Sequence, residues 1–372
     1  MALRSMSVPP EERFKSHLRA WVRAAGGNST GYCSTEPRGG VRMSTGTSEL
    51  LHSEGSGIAT DTVLTGEERQ ITARSPLQLF WRRFRRDRIA MVALGFIILL
   101  VLVAAFAPLI VKAVGAPNPN TQSTAALDSF GLPSGPSSKH LFGVDQIGRD
   151  VFARTLYGAR VSLTVAVIAT TLIVFIGTIV GMTAGFYRGI TDTVLSRAMD
   201  VMLAFPVLLL ALGLGAACSF GGGCLGGLIQ PGLPVVIFVI VLAQWPYFSR
   251  IIRGQVLSLR EKEFIEAARS IGASNKRIIF REILPNLLAP IIVYTTLIIP
   301  TNILFEAALS FLGVGVQPPT ATWGAMIAEA TNIFDIAWWF MLAPGIALVV
   351  TVLAFNLVGD GLQDALNPKG DR

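Results

Sequence analysis

Glu261-Lys-Glu-Phe-Ile-Glu-Ala-Ala-Arg-Ser-Ile-Gly272-Ala-Ser-Asn-Lys-Arg-Ile-Ile-Phe-Arg-Glu-Ile-Leu-Pro285-Asn286 is a charged stretch set between two apolar runs, and it reads as helix, glycine stop, helix. Phe264, Ala267, Ala268 and Ile271 recur at helical spacing and mark an apolar face on the first helix. Gly272 stands where a glycine takes positive φ and ends a helix. Ser274 is placed to cap a second helix running to Leu284. The flanking runs, Leu233–Ser249 and Leu287–Phe305, contain no Asp, Glu, Lys or Arg. About 20 helical residues cross a hydrocarbon core of roughly 30 Å, so a polar helical island between two such runs is a connection at one membrane face.

Outward from this loop the same pattern repeats. Four further uncharged runs, Ile89–Val111, Val161–Tyr187, Val201–Ala217 and Ile336–Gly359, bring the expected spans to six, and the two shorter ones borrow flanking residues such as Asp200. Of 372 residues 51% are apolar and 15% charged, against about 25% charged in soluble domains. The fold class expected is an all-α polytopic membrane protein with six transmembrane helices, and soluble enzyme classes are excluded. The net charge of +7 does not indicate nucleic acid, because the basic residues cluster beside the spans, where the positive-inside rule accounts for them. Three cysteines and three histidines, scattered, are too few for a structural zinc site, so no metal is expected.

Lys and Arg number 17 in one set of alternate connections and five in the other, all five within Lys112–Arg160. The richer side is expected to be cytoplasmic, with both termini inside. Residues 1–75 form an expected disordered cytoplasmic tail, rich in Gly, Ser and Thr, with a short amphipathic stretch at Phe14–Ala25 and an internal Met43 that could begin a shorter chain. Residues 1–80 hold no apolar run of signal-peptide length, so insertion is expected to begin at the first span. The remaining expected divisions are 76–111, a basic anchor with the first span; 112–160, an outer segment; 161–360, a core of five spans carrying the loop at 250–286; and a cytoplasmic tail at 361–372. Within the outer segment a surface helix is expected at Asp145–Arg160, with Val151, Phe152, Leu156 and Ala159 on one face and Arg149, Asp150 and Arg154 on the other.

Gly177, Gly181 and Gly185 recur every fourth residue and strip one face of the second span, which suits either tight static packing or a sliding surface. Pro206, Pro246, Pro290, Pro300 and Pro344 interrupt the later spans and invite kinks. No Asp, Glu, Lys, Arg or His lies within the six runs, which argues against a self-sufficient, ion-coupled secondary transporter. Glu306 and Glu329 flank the broken connection Ala307–Ala328, an expected re-entrant outer loop; Glu306 is either an outer gate or substrate contact, or a solvated interfacial carboxylate. Cys218 and Cys224 bracket Ser-Phe-Gly-Gly-Gly in an outer connection, where a local disulfide or two free thiols are the alternatives. The chain contains no G-x-x-x-x-G-K-[ST] phosphate loop.

Glu266-Ala267-Ala268 followed by Gly272 resembles the EAA motif of inner-membrane subunits of bacterial ABC importers. Gly143-Val-Asp145-Gln-Ile-Gly148-Arg149-Asp150, Gly158-Ala159-Arg160-Val-Ser162-Leu163, Asp200-Val-Met-Leu-Ala204-Phe205-Pro206, Leu309-Ser310-Phe311-Leu312-Gly313-Val-Gly315-Val-Gln317-Pro318-Pro319, Trp323-Gly324 and Asn356-Leu-Val-Gly359-Asp360-Gly361-Leu362 are similar to the dipeptide/oligopeptide permeases, particularly the second of the paired subunits. The resemblance runs in order from residue 75 to 369 and leaves the first 75 residues outside it. It implies a type I-like ABC importer permease forming half of a pathway for di- or oligopeptides, or for nickel or glutathione. It implies as partners a homologous permease, two cytoplasmic ATPases that use ATP and Mg, and an external peptide-binding protein. It further implies that Glu263, Glu266, Ala267, Ala268 and Gly272 couple the ATPases to the pore, and that this chain binds no cofactor of its own.

Overall fold

The computed structural model describes residues 76–220 and 222–366. The expected tail, with Phe14–Ala25 and Met43, and the last six residues lie outside the described part. The described residues form helices α1 (Pro76–Phe84), α2 (Arg88–Ala105), α3 (Ala107–Val114), α4 (Val151–Tyr187), α5 (Gly189–Leu203), α6 (Val207–Phe220) and α7 (Leu233–Arg260). They continue as α8 (Glu263–Ser270), α9 (Asn275–Phe311), α10 (Trp323–Thr331) and α11 (Trp338–Leu366). Five helices, α2, α4, α7, α9 and α11, are long and apolar enough to cross a bilayer, and a sixth crossing exists if the bent pair α5 and α6 is one span.

The breaks have local causes. The expected first span ends early, at Ala105, because Pro108 in the first turn of α3 has no N–H to continue the ladder. The expected third span, Val201–Ala217, is instead two helices bent by 83° across Ala204-Phe205-Pro206. Pro246, Pro290, Pro300 and Pro344 all lie inside helices that continue through them. The last helix runs past Gly359 to Leu366.

No separate surface helix occupies Asp145–Arg160. Asp150 caps α4, accepting the Ala153 N–H at 2.8 Å, and the helix runs unbroken for 37 residues to Tyr187. At 1.5 Å per residue that is about 55 Å, so its first turns extend beyond the hydrocarbon core. The side chains read as a solvated face are buried: Arg149, Asp150 and Arg154 find partners in the protein, so the segment has no polar face to lay against water.

The α4–α7 pair is the spine of the bundle. A methyl carbon on Gly177 would lie 2.6 Å from Phe248, on Gly181 2.5 Å from the Ser249 carbonyl oxygen, and on Gly185 2.8 Å from Val256. The glycine stripe is therefore a close helix contact. One apolar cluster surrounds this pair and includes Ile173, Val239, Phe248 and Ile252. A second joins α2, α9 and α11 through Ala90, Ile303, Phe355 and Val358, with Trp323 of α10 completely buried in it.

Candidate functional site: the loop around α8 and the buried polar ladder

Beyond α7 the chain turns at Glu261 and Lys262 and forms α8. Its end is a Schellman motif: Gly272 N–H donates to the Arg269 carbonyl at 2.9 Å and Ala273 N–H to the Ala268 carbonyl at 3.0 Å, with Gly272 at φ +79°. Ser274 then caps α9, its Oγ accepting the Arg277 N–H at 3.4 Å. The second helix does not stop near Leu284 but passes through a π turn, Ile278–Ile283, directly into the span.

The expected apolar face divides in two. Ala268 turns inward with Ile265, and both join the α4–α7 cluster together with Ile278 and Ile283. Phe264, Ala267 and Ile271 remain exposed, Ile271 at 81%, beside the exposed carboxylates Glu263 and Glu266. Ile265 is the residue that periodicity had not assigned; it lies between the exposed positions and anchors the helix.

On the same side of the bundle, ion pairs fasten the α4–α5 junction and α5 to α7. Arg188 pairs with Glu261, Asp200 with Arg250, and Asp192 accepts two hydrogen bonds from Arg253.

A polar ladder runs through the apolar interior. Gln244 Nε2 donates to Asn302 Oδ1 at 2.7 Å, and Asn302 Nδ2 donates to Thr170 Oγ1 at 2.8 Å. One turn further along α9, Glu306 receives the Ser162 hydroxyl at 2.8 Å on one oxygen and the Ser310 hydroxyl at 2.7 Å on the other. Glu306 is 0% exposed and lies inside α9, so it is not a solvated residue at a span boundary. Hydroxyls from α4 and from its own next turn satisfy the buried carboxyl group. Asn302 and Gln244, polar residues within apolar runs, were the signal in the sequence for this ladder.

Near the start of α4, Arg149 bonds both Asp145 and Glu329, and Arg154 lies 3.5 Å from Glu329, so α10 is tied to the segment that leads into α4. Trp323 donates to the Thr155 carbonyl at 3.1 Å and reinforces that attachment. Cys218 and Cys224 are joined in the structure, their Cα atoms 4.7 Å apart. Among the described residues no group of three or more His, Cys, Asp or Glu is placed to hold a metal ion.

α8, set between two helices long enough to cross a bilayer, is an amphipathic helix pinned to the bundle by Ile265 and Ala268 with its other face exposed. Residues 177–371 match the family described as the binding-protein-dependent transport system inner membrane component, and residues 75–129 match the N-terminal transmembrane domain of oligopeptide transport permease C. The chain belongs to this family of binding-protein-dependent inner-membrane components. It is the multi-pass permease of an ABC transporter and not the ATPase subunit, and it works in a complex with ATPases and a binding protein.

The dipeptide transport system permease protein DppC of Alkalihalophilus pseudofirmus is 42% identical over 302 residues, 81% of this chain and 93% of the relative. The glutathione transport system permease protein GsiD of Escherichia coli is 45% identical over 296 residues, 80% of this chain and 91% of the relative. Among solved structures, a chain of the inward-facing MetNI methionine ABC transporter overlaps with a TM-score of 0.47 at 18% identity, covering 58% of this chain and 96% of that one.

Proposed function

We propose that this chain forms one half of a translocation pathway for short peptides, paired with a homologous permease, driven by two cytoplasmic ATPases and supplied by an external peptide-binding protein. The observation that carries the proposal is the division of α8: Ile265 and Ala268 fix it to the bundle, while Phe264, Ala267 and Ile271 are exposed among the described residues. A helix so fixed transmits force from whatever grips its free face. The peptide assignment is supported by relatives named for dipeptide and for glutathione transport, both short peptides. Glu306 acts on the outer gate by holding α9 to α4, because its two oxygens accept the hydroxyls of Ser162 on α4 and Ser310 on α9.

The 17-to-five distribution of Lys and Arg supports cytoplasmic termini and a cytoplasmic α8. Reporters fused after Arg253 then read as cytoplasmic and those near Ser137 as external. The deciding experiment is purification from the native membrane followed by reconstitution. Two P-loop proteins should accompany the chain, and ATP hydrolysis should rise with binding protein and peptide; ion-driven flux by the isolated chain would reject the reading. Uptake of dipeptides against glutathione in the same vesicles separates the two substrates.

A further inference from the structure

The elbow between α1 and α2 carries a dense patch of charge that peptide transport leaves unused. Five arginines occur in Trp81-Arg82-Arg83-Phe84-Arg85-Arg86-Asp87-Arg88. Arg82, Arg85, Arg86 and Arg88 are exposed, and none of the four forms an ion pair among the described residues. The one carboxylate in the segment, Asp87, is engaged as the cap of α2, accepting the Ile89 and Ala90 N–H groups at 2.9 and 3.1 Å.

The elbow is a fixed shape. Arg85 N–H donates to the Trp81 carbonyl at 3.0 Å, Arg86 to Arg83 at 3.0 Å and Asp87 to Phe84 at 3.2 Å. Phe84 is buried, and the start of α2 is seated on α11, where a methyl carbon on Gly361 would lie 2.4 Å from the Ala90 Cβ. Trp81 is exposed and lies under the Arg85 guanidinium, 5.0 Å from it. Directly after the arginines, Ile89 and Val92 turn outward.

We propose that this elbow binds the headgroup phosphate of an anionic phospholipid, with the acyl chains against the outward apolar face of α2. Charge complementarity selects a phosphate, which the arginine fork meets with two parallel hydrogen bonds. The neighbouring Ile89 and Val92 select a ligand that is apolar immediately beside its charge, which nucleic acid and free phosphate are not. An exposed tryptophan fits the headgroup layer. The inference rests on reading α2 as a membrane span and is independent of the transported substrate.

The test uses the assembled complex in nanodiscs of equimolar phosphatidylglycerol and phosphatidylcholine, with retained lipids counted by native mass spectrometry. The unmodified complex should retain phosphatidylglycerol preferentially. R82Q/R85Q/R86Q/R88Q should lose that preference, by about fivefold for each arginine removed. Because arginines also orient the span, R82Q/R85Q serves as the milder variant, with Arg83, Arg86 and Arg88 left to hold the topology. K276Q/R277Q/R281Q, which removes charge from the coupling loop, should retain the lipid as before. Equal retention of both lipids by the unmodified complex, or unchanged preference in R82Q/R85Q, overturns the proposal. Absence of ATPases from the purified complex would count against the importer reading and is scored separately on the subunit gel.

Discussion

Arg253 grips Asp192 with two nitrogens, Nε on Oδ1 at 2.5 Å and Nη2 on Oδ2 at 2.7 Å. The pair joins the first half of the broken span to the long helix that leads into α8, and Arg250–Asp200 and Arg188–Glu261 extend the same attachment at either end. With α8 as the proposed coupling helix, motion delivered to it should be shared with α5. Surface ion pairs stabilise by only about 0.2–1 kcal/mol each, and Arg253–Asp192, half-buried and bidentate, lies at the upper end of that range, so loss of these pairs should alter coupling more than folding. Asp192→Asn and Arg253→Gln should each lower ATP-driven uptake with little change in melting temperature. The exchange D192R/R253D should recover part of the uptake; equal uptake in all four proteins would assign the pair no part in coupling.

Gly181 tests the spine. Gly181→Ala introduces a carbon where only 2.5 Å separates it from a backbone oxygen, and overpacking of this kind costs about 1–3 kcal/mol. Thermal unfolding in detergent should report a lowered midpoint. Gly213→Ala, where nothing lies within 4 Å, is the matched control and should be neutral.

Removal of the Glu306 side chain leaves the Ser162 and Ser310 hydroxyls without their acceptor inside the bundle. Glu306→Ala should therefore destabilise by about 1–3 kcal/mol, as buried polar groups do on losing a partner. Glu306→Gln keeps an acceptor oxygen and the side-chain volume and should lie much closer to the original. Melting midpoints of the two variants decide the matter, and a direct substrate contact would instead show as changed peptide selectivity at unchanged stability.

The two adjacent alanines of α8 should respond differently. Ala267 is exposed, so Ala267→Trp should leave the permease intact while blocking the ATPase and abolishing stimulation by binding protein. Ala268 is buried with Ile265, so Ala268→Trp should lower the stability of the chain itself. Glu266→Lys should weaken attachment of the ATPase through its reversed charge. Gly272→Val, at φ +79°, should disturb the helix end. Stimulated ATPase activity in reconstituted complexes, beside permease melting curves, separates the two classes.

Much of this was legible in the sequence. Uncharged runs of sufficient length locate the crossings, and Gly272 marks the end of α8, because both signals are local. The break at Pro206 was not legible, since Pro246, Pro290, Pro300 and Pro344 carry the same local signal in helices that continue. Glu306 appeared interfacial because its partner Ser162 lies 144 residues away in the chain. Arg154, expected on the polar face of a surface helix, is buried for a comparable reason: one of its carboxylate partners, Glu329, comes from α10 and is 175 residues distant.

Cys218 and Cys224, whose Cα atoms lie 4.7 Å apart, within bridging range, should be recovered as a linked pair by peptide mapping under non-reducing conditions. Two free thiols would rule the bridge out. The closed loop is short, so Cys224→Ser should reduce stability modestly.

The π turn at the root of α9 has a consequence for how far the loop can change in length. Ile278 and Ile283, five positions apart, are both buried in one cluster, although in a regular α-helix they would stand about 140° apart. The wider turn, in which Leu284 N–H donates to the Ile279 carbonyl, returns them to one side. It ends where Pro285 has no N–H to offer, while the Asn286 side chain donates to the Glu282 carbonyl at 2.6 Å. The segment thus stores one residue more than a regular helix needs. A gain or loss of one residue in an ancestral loop could be absorbed here, with Phe280 bulging toward solvent, while α8 kept its orientation relative to the span.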